Sequence, residues 1–138
     1  MKVKVLGAAN EVGRSGFLVT GEGANILLDY GVLLGKRGDP PQYPLHVRPK
    51  DVDAVVISHA HLDHCGYVPS LFISGNSEVY ATPPTFELSR LLIEDMLNIE
   101  KNLHPFDLPE VNNMMDNAKE IEFKQKVRKG NTTFELRE

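Results

Sequence analysis

The sequence predicts an α/β domain whose strands and helices pack as a sandwich. Three observations carry this reading: an early hairpin signal, two short and largely apolar strand-like runs, and a long amphipathic segment that opens on prolines. With 138 residues, 41% apolar and 25% charged, the chain has the mass of one domain and enough apolar content for a modest core.

The elements follow in order. Val3 and Val5 alternate with Lys2 and Lys4, which predicts an opening strand with one wet face. Gly7 to Gly16 is rich in small residues and suits a tight loop. Phe17 to Thr20 and Asn25 to Asp29, joined through Gly21-Glu22-Gly23, read as a β-hairpin. Residues 30 to 50 hold three glycines and four prolines, a long irregular loop of the kind that is functional or disordered in compact domains. Asp53 to Ser58 is a short apolar run, consistent with a strand buried on both faces. Residues 64 to 73 turn into a short helix, and Glu78 to Ala81 is another strand. Thr82-Pro83-Pro84 reads as a helix start, because proline suits the first turn, where its missing N–H is not needed. Leu88, Leu92, Met96, Ile99 and Leu103 then recur at helical spacing, so this face is expected to be core. Val111 to Ala118 is expected as a short helix. Ile121 to Phe123 and Thr132 to Leu136 are expected as strands joined through Lys129-Gly130-Asn131.

Composition excludes several functions. A single cysteine, Cys65, permits neither an intramolecular disulfide framework nor an all-cysteine zinc ribbon, and a reducing, cytoplasmic setting is expected. No apolar run approaches the roughly 20 residues of a membrane span, and the N-terminus lacks a signal peptide's apolar block, so a mature cytoplasmic start and no membrane partner are expected. The formal charge is −4. Residues 1–83 carry 7 basic and 8 acidic side chains, residues 84–118 carry 2 and 7, and residues 119–138 carry 6 and 4. None of these is a strong basic patch, so composition by itself does not point to nucleic acid.

The chemistry concentrates at His59-Ala60-His61-Leu62-Asp63-His64, where three of the five histidines fall within six positions. The cluster follows the apolar run 53–58, and the carboxyl ends of strands are where open α/β sheets place ligands. His59 and His61 are two apart, so on extended backbone their rings point the same way and can share one ion. Asp63 and His64, at a helix start, can turn toward a second. Imidazole with carboxylate suits Zn²⁺, with Mn²⁺ or Fe as alternatives. The bland alternative is a histidine-rich surface turn. Four ligands make about half of a two-ion site. His46 and His104 are candidates for the remainder, although their settings, a proline-rich loop and a helix end, read as surface. Asp29 ends an apolar strand, and reads either as the carboxylate that accepts a ligand histidine's ring N–H or as a turn residue before Gly31. Cys65, beside His64, could touch a metal but reads better as a small helix residue facing the core. Glycines 7, 13, 16, 21 and 23 match neither a dinucleotide fingerprint nor a phosphate-binding loop.

These residues carry a resemblance. Ser58-His-Ala-His-Leu-Asp-His-Cys-Gly66 resembles the signature of the metallo-β-lactamase superfamily. Gly7 to Val19, Ile26 to Gly31, Tyr67 to Phe72 and Val79 to Thr85 are similar to the β-CASP ribonucleases, and among them to archaeal homologues of the cleavage and polyadenylation specificity factor nuclease. The resemblance runs from about residue 3 to at least residue 103. It implies an αββα sandwich, two zinc ions, and two-metal hydrolysis of RNA phosphodiesters in mRNA processing or decay. By the same resemblance His59 and His61 would bind the first zinc, Asp63 and His64 would bind the second and take part in catalysis, and Asp29 would be the supporting aspartate.

The chain also departs from that family. A further zinc histidine, a bridging aspartate, a final histidine and the inserted β-CASP domain have no counterpart in residues 1–138. Residues 1–138 are therefore expected to be a partial metallo-β-lactamase domain, the N-terminal half of the sandwich, ending before the third metal motif. Such a chain is expected to bind metal weakly and to be inactive alone. Its unpaired surfaces are expected to be covered by a second copy or by the missing half of the fold. Alternatives are another hydrolase of the same superfamily, such as a glyoxalase-like thioesterase or a lactonase, and a non-catalytic scaffold for RNA-processing partners.

Overall fold

Hairpin glycines and short apolar runs build a six-stranded sheet whose spatial order follows the chain. The computed structural model describes residues 1–138. Strands β1 (Lys2–Gly7), β2 (Gly16–Thr20) and β3 (Asn25–Tyr30) pair antiparallel. Strands β4 (Ala54–Val56), β5 (Glu78–Ala81) and β6 (Ala118–Glu120) then add in parallel beside β3. Helices α1 (Leu62–Cys65), α2 (Pro83–Ile99) and α3 (Leu108–Asp116) connect the parallel part.

Period-two alternation gives the central strands two dry faces. Leu27, Val55, Ile57, Val79 and Ala81 pack with Cys65, Phe86, Ile93, Val111 and Met114 in the helix-side core. Ile26, Ala54, Val56 and Tyr80 face the other way, under a separate hairpin of β7 (Val127–Lys129) and β8 (Thr132–Phe134). Glu78 ties this hairpin down, pairing with Lys129 and accepting from the Tyr80 hydroxyl. Helices, mixed sheet and second β layer form the α/β sandwich architecture that the sequence implies.

Several elements differ in detail. Val3 and Val5 are 60% and 46% exposed, so β1 is wet on both faces until Leu6, which is buried. They share a sheet face with Phe17, Val19 and Leu28, beyond the hairpin of β7 and β8. The expected core stripe of α2 is corrected: Leu88 and Ile99 are 52% and 75% exposed, and the helix stops before Leu103. The buried side holds Phe86, Ser89, Ile93, Met96 and Leu97. Two apolar stripes lie about a third of a turn apart on this helix with Met96 between them, and the one carrying Phe86 seats on the sheet, with small Ser89 beside Cys65. The segment 64–73 splits into α1 and a 3-10 turn over Val68–Phe72. Helix α3 begins three residues early because Asp107 caps it, with Glu110 Oε2 accepting from the Asp107 N–H at 2.9 Å. The strand expected at 121–123 forms at Ala118–Glu120, and the terminal hairpin pairs residues 127–129 with 132–134.

Candidate metal centre

Because β3 and β4 run parallel, their carboxyl ends stand side by side, with Leu28 opposite Val56. One irregularity positions the site. Gly16 pairs with Tyr30 and Phe17 with Leu28, so Asp29 is the extra residue of a β-bulge. Its φ of 56° is left-handed, a conformation that aspartate tolerates better than most residues. The bulge aims the carboxylate across the strand ends. Asp29 Oδ1 accepts from the Ser58 backbone N–H at 2.7 Å. Asp29 Oδ2 accepts from the Ser58 hydroxyl and from His64 Nδ1, each at 2.8 Å. Three donors thus satisfy a buried carboxylate.

Helix α1 is locked against the same strands. Gly31 N–H donates to Ser15 O, and Ser15 N–H donates to Asp63 O, both at 2.8 Å. Val32 N–H donates to Leu62 O at 2.9 Å. A Cβ on Gly31 would lie 1.7 Å from Asp63 O, so only glycine permits this approach.

These contacts bring the expected residues together. His61 caps α1, and its ring stands 4.7 Å from that of His59 between centroids. The His59 and His64 rings are 4.1 Å apart. His59 Nδ1 lies 3.0 Å from Ser58 Oγ. Partial removal from water, with the His64 and His61 rings beside it, holds His59 below the usual histidine range; Asp29 and Asp63 oppose this. No three His, Cys, Asp or Glu side chains are arranged to hold an ion.

The donor chemistry nevertheless fits a divalent metal. A carboxylate can only accept, so His64 carries a proton on Nδ1, and the neutral ring keeps its lone pair on Nε2. That Nε2 lies 3.4 Å from Asp63 Oδ2. Two corners of a tetrahedral zinc site with bonds of roughly 2.0–2.2 Å stand about 3.4 Å apart, so the pair is spaced as neighbouring ligands would be.

The other candidates lie outside this cluster. His46 is exposed in the long loop and has no hydrogen bond to it. His104, expected at the surface, has a ring 0% exposed. It hydrogen-bonds the Tyr43 hydroxyl at 2.8 Å and packs beside Phe106. Cys65 is buried with its thiol toward Ala60 O, and burial pushes the thiol's pKa up to about 12. Ser58 is the residue that sequence reasoning passed over. A hydroxyl directly before the first histidine, at a strand's end, was the available signal.

Residues 9–119 match the model of the metallo-β-lactamase superfamily. The chain belongs to that superfamily. Among curated relatives it is 37% identical over 126 residues to RNase aCSPSF2 of Saccharolobus solfataricus, covering 91% of this chain and 25% of that protein. It is 38% identical over 132 residues to Ribonuclease TTHA0252 of Thermus thermophilus, covering 94% of this chain and 30% of that protein. It is 44% identical over 107 residues to Transcription termination factor FttA of Methanosarcina mazei, covering 72% of this chain and 16% of that protein. The chain therefore spans less than a third of the length of each of these relatives. Among solved structures it shares the fold of MEM-A1, a subclass B3 metallo-β-lactamase from a soil metagenome library. The TM-score is 0.62 at 19% identity, covering 98% of this chain and 48% of that one. The metallo-β-lactamase fold that the motif at 58–66 implied is thus the fold observed. No helix is long and apolar enough to cross a membrane.

Proposed function

We propose that residues 1–138 are the N-terminal part of a longer, zinc-dependent ribonuclease of the β-CASP type, acting on RNA in the cytoplasm. His59 and His61 would hold one ion, and Asp63 and His64 a second, with Mn²⁺ or Fe as alternative occupants. The observation that carries the reading is the hydrogen-bonded array in which Asp29 orients His64 beside Asp63. For RNA as substrate, the support is the likeness to Ribonuclease TTHA0252 and RNase aCSPSF2.

Asp29 Oδ2 keeps the His64 proton on Nδ1, so that Nε2 is available as a ligand. Asp63 Oδ2 offers the neighbouring ligand atom. Gly31 and Ser15 hold the Asp63 backbone, which fixes where both α1 ligands start. Ions bound there would polarise a phosphodiester oxygen and draw a water's pKa toward neutrality. They would also offset the chain's formal charge of −4.

Four ligands supply about half of a two-ion site, so the isolated chain is proposed to bind metal weakly and to cleave little or no RNA. The exposed face of Val3, Val5 and Leu28 would be covered by the remaining half of the fold, or by a second copy.

The test is cleavage of single-stranded RNA by the full-length protein, before and after chelation and after zinc is restored, alongside a thioester and a lactone. Metal-dependent RNA cleavage lost in His59→Ala supports the proposal. Turnover of the thioester or lactone alone would reassign the protein to another hydrolase of the superfamily. Cleavage unaffected by His59→Ala would favour the scaffold reading for this domain.

A further inference from the structure

One serine joins the two halves of the cluster. We propose that Ser58 is a positioning residue whose hydroxyl relays the Asp29 carboxylate to His59, fixing the His59 proton on Nδ1 and presenting Nε2 to the ligand position.

The direction of the relay follows from counting protons. Ser58 has one hydroxyl proton, and its oxygen lies 2.8 Å from Asp29 Oδ2 and 3.0 Å from His59 Nδ1. Asp29 also takes the Ser58 backbone N–H on Oδ1 and His64 Nδ1–H on Oδ2, so it acts as acceptor throughout. If the hydroxyl proton pointed at His59, Ser58 Oγ and Asp29 Oδ2 would face each other at 2.8 Å with lone pairs only, which is repulsive. The proton therefore lies toward Asp29, and Ser58 Oγ can only accept from His59. His59 is consequently the donor through Nδ1.

Two histidines thereby take the same tautomer from one carboxylate, His64 directly and His59 through Ser58. The tautomer itself needs no metal. Its value for ligation rests on the metal reading above, since a ring that donates through Nδ1 has only its Nε2 lone pair left to offer an ion. The backbone N–H of Ser58 anchors the same carboxylate, so changing the hydroxyl leaves two of the three Asp29 bonds, one of them to the main chain and one to His64.

The experiment is nitrogen-15 NMR of the histidine side chains in the metal-free 138-residue chain. Spectra are recorded at about pH 8, above the ordinary histidine pKa of about 6.5. Both His59 and His64 are expected to appear as Nδ1–H tautomers. Ser58→Ala should move His59 toward Nε2–H and leave His64 unchanged, and Ser58→Thr should restore the parent pattern. The unchanged His64 signal and the backbone amide spectrum report that the alanine variant is folded. An Nε2–H tautomer at His59 in the parent chain overturns the relay whether or not any variant folds, and so does an alanine variant with no change. Zinc is then added to the same samples. Weaker zinc perturbation of His59 in Ser58→Ala, by about tenfold or more, extends the relay to ligation. If zinc at concentrations high enough to fill even the weak site proposed for this chain perturbs none of His59, His61 and His64, the metal reading fails while the metal-free tautomers still decide the relay.

Discussion

Asp29 Oδ2 and His64 Nδ1 lie 2.8 Å apart, joining the bulged end of β3 to helix α1 across 35 positions of sequence. Through this contact a backbone irregularity governs the chemistry of a ring. The carboxylate holds one tautomer, and the bulge holds the carboxylate.

Asp29→Asn should separate these two tasks. Asparagine accepts the left-handed backbone that φ of 56° requires, so the bulge should survive. The amide cannot accept from Ser58 and His64 on both oxygen positions, so the tautomer is no longer fixed. Zinc affinity of the full-length protein should fall roughly 10- to 100-fold by calorimetry, with the circular dichroism of the parent retained. Unchanged affinity would leave Asp29 as a turn residue alone.

Gly31→Ala should be severe despite its size. The added methyl would meet Asp63 O at 1.7 Å, and both partners are backbone held by hydrogen bonds. A loss of about 3 kcal/mol or more is expected from chemical denaturation, with metal binding weakened because α1 must move. A change of less than about 1 kcal/mol would mean that the close approach of Gly31 to α1 is relaxed in solution.

Helix α2 gives a paired comparison. Ile93 is fully buried and Leu88 is 52% exposed. Ile93→Ala should cost about 2–5 kcal/mol, whereas Leu88→Ala should cost less than about 1 kcal/mol. Equal losses in urea melts would restore the stripe that the spacing of Leu88, Leu92, Met96, Ile99 and Leu103 suggests.

His104 should make the fold acid-sensitive. Burial holds its pKa below the ordinary histidine value, with Glu100 only partly opposing this. As pH falls through the ordinary histidine range, the unfolded chain takes up a proton that the folded chain resists. Stability therefore falls with acidification and is fully retained above that range. Denaturation midpoints between about pH 8 and pH 5 should show this slope, and His104→Gln should flatten it; an equal slope in both proteins would exclude His104 as its source.

What could be read from the sequence was local. His59 to His64 is a contiguous string, and its strand and helix start are set by neighbours a few residues away, so the cluster was legible without the fold. The hairpin of β2 and β3 was legible for the same reason, from its turn glycines. Asp29 was ambiguous because its direction depends on a bulge between paired strands, which no local pattern records. The buried side of α2 was misread because the helix has two apolar stripes and only the sheet decides between them. The early start of α3 was present in the sequence as Asp107 and Glu110, spaced as a capping box. Ser58 acquires its role only when β3 and β4 bring it against Asp29.

The most direct measurement is zinc-edge X-ray absorption on the zinc-loaded full-length protein. Histidine nitrogen and carboxylate oxygen at about 2.0–2.2 Å are expected, with the imidazole signature diminished in His59→Ala and His61→Ala. A sulfur shell at about 2.3 Å, or a spectrum without imidazole that neither substitution alters, would contradict metal binding by this cluster.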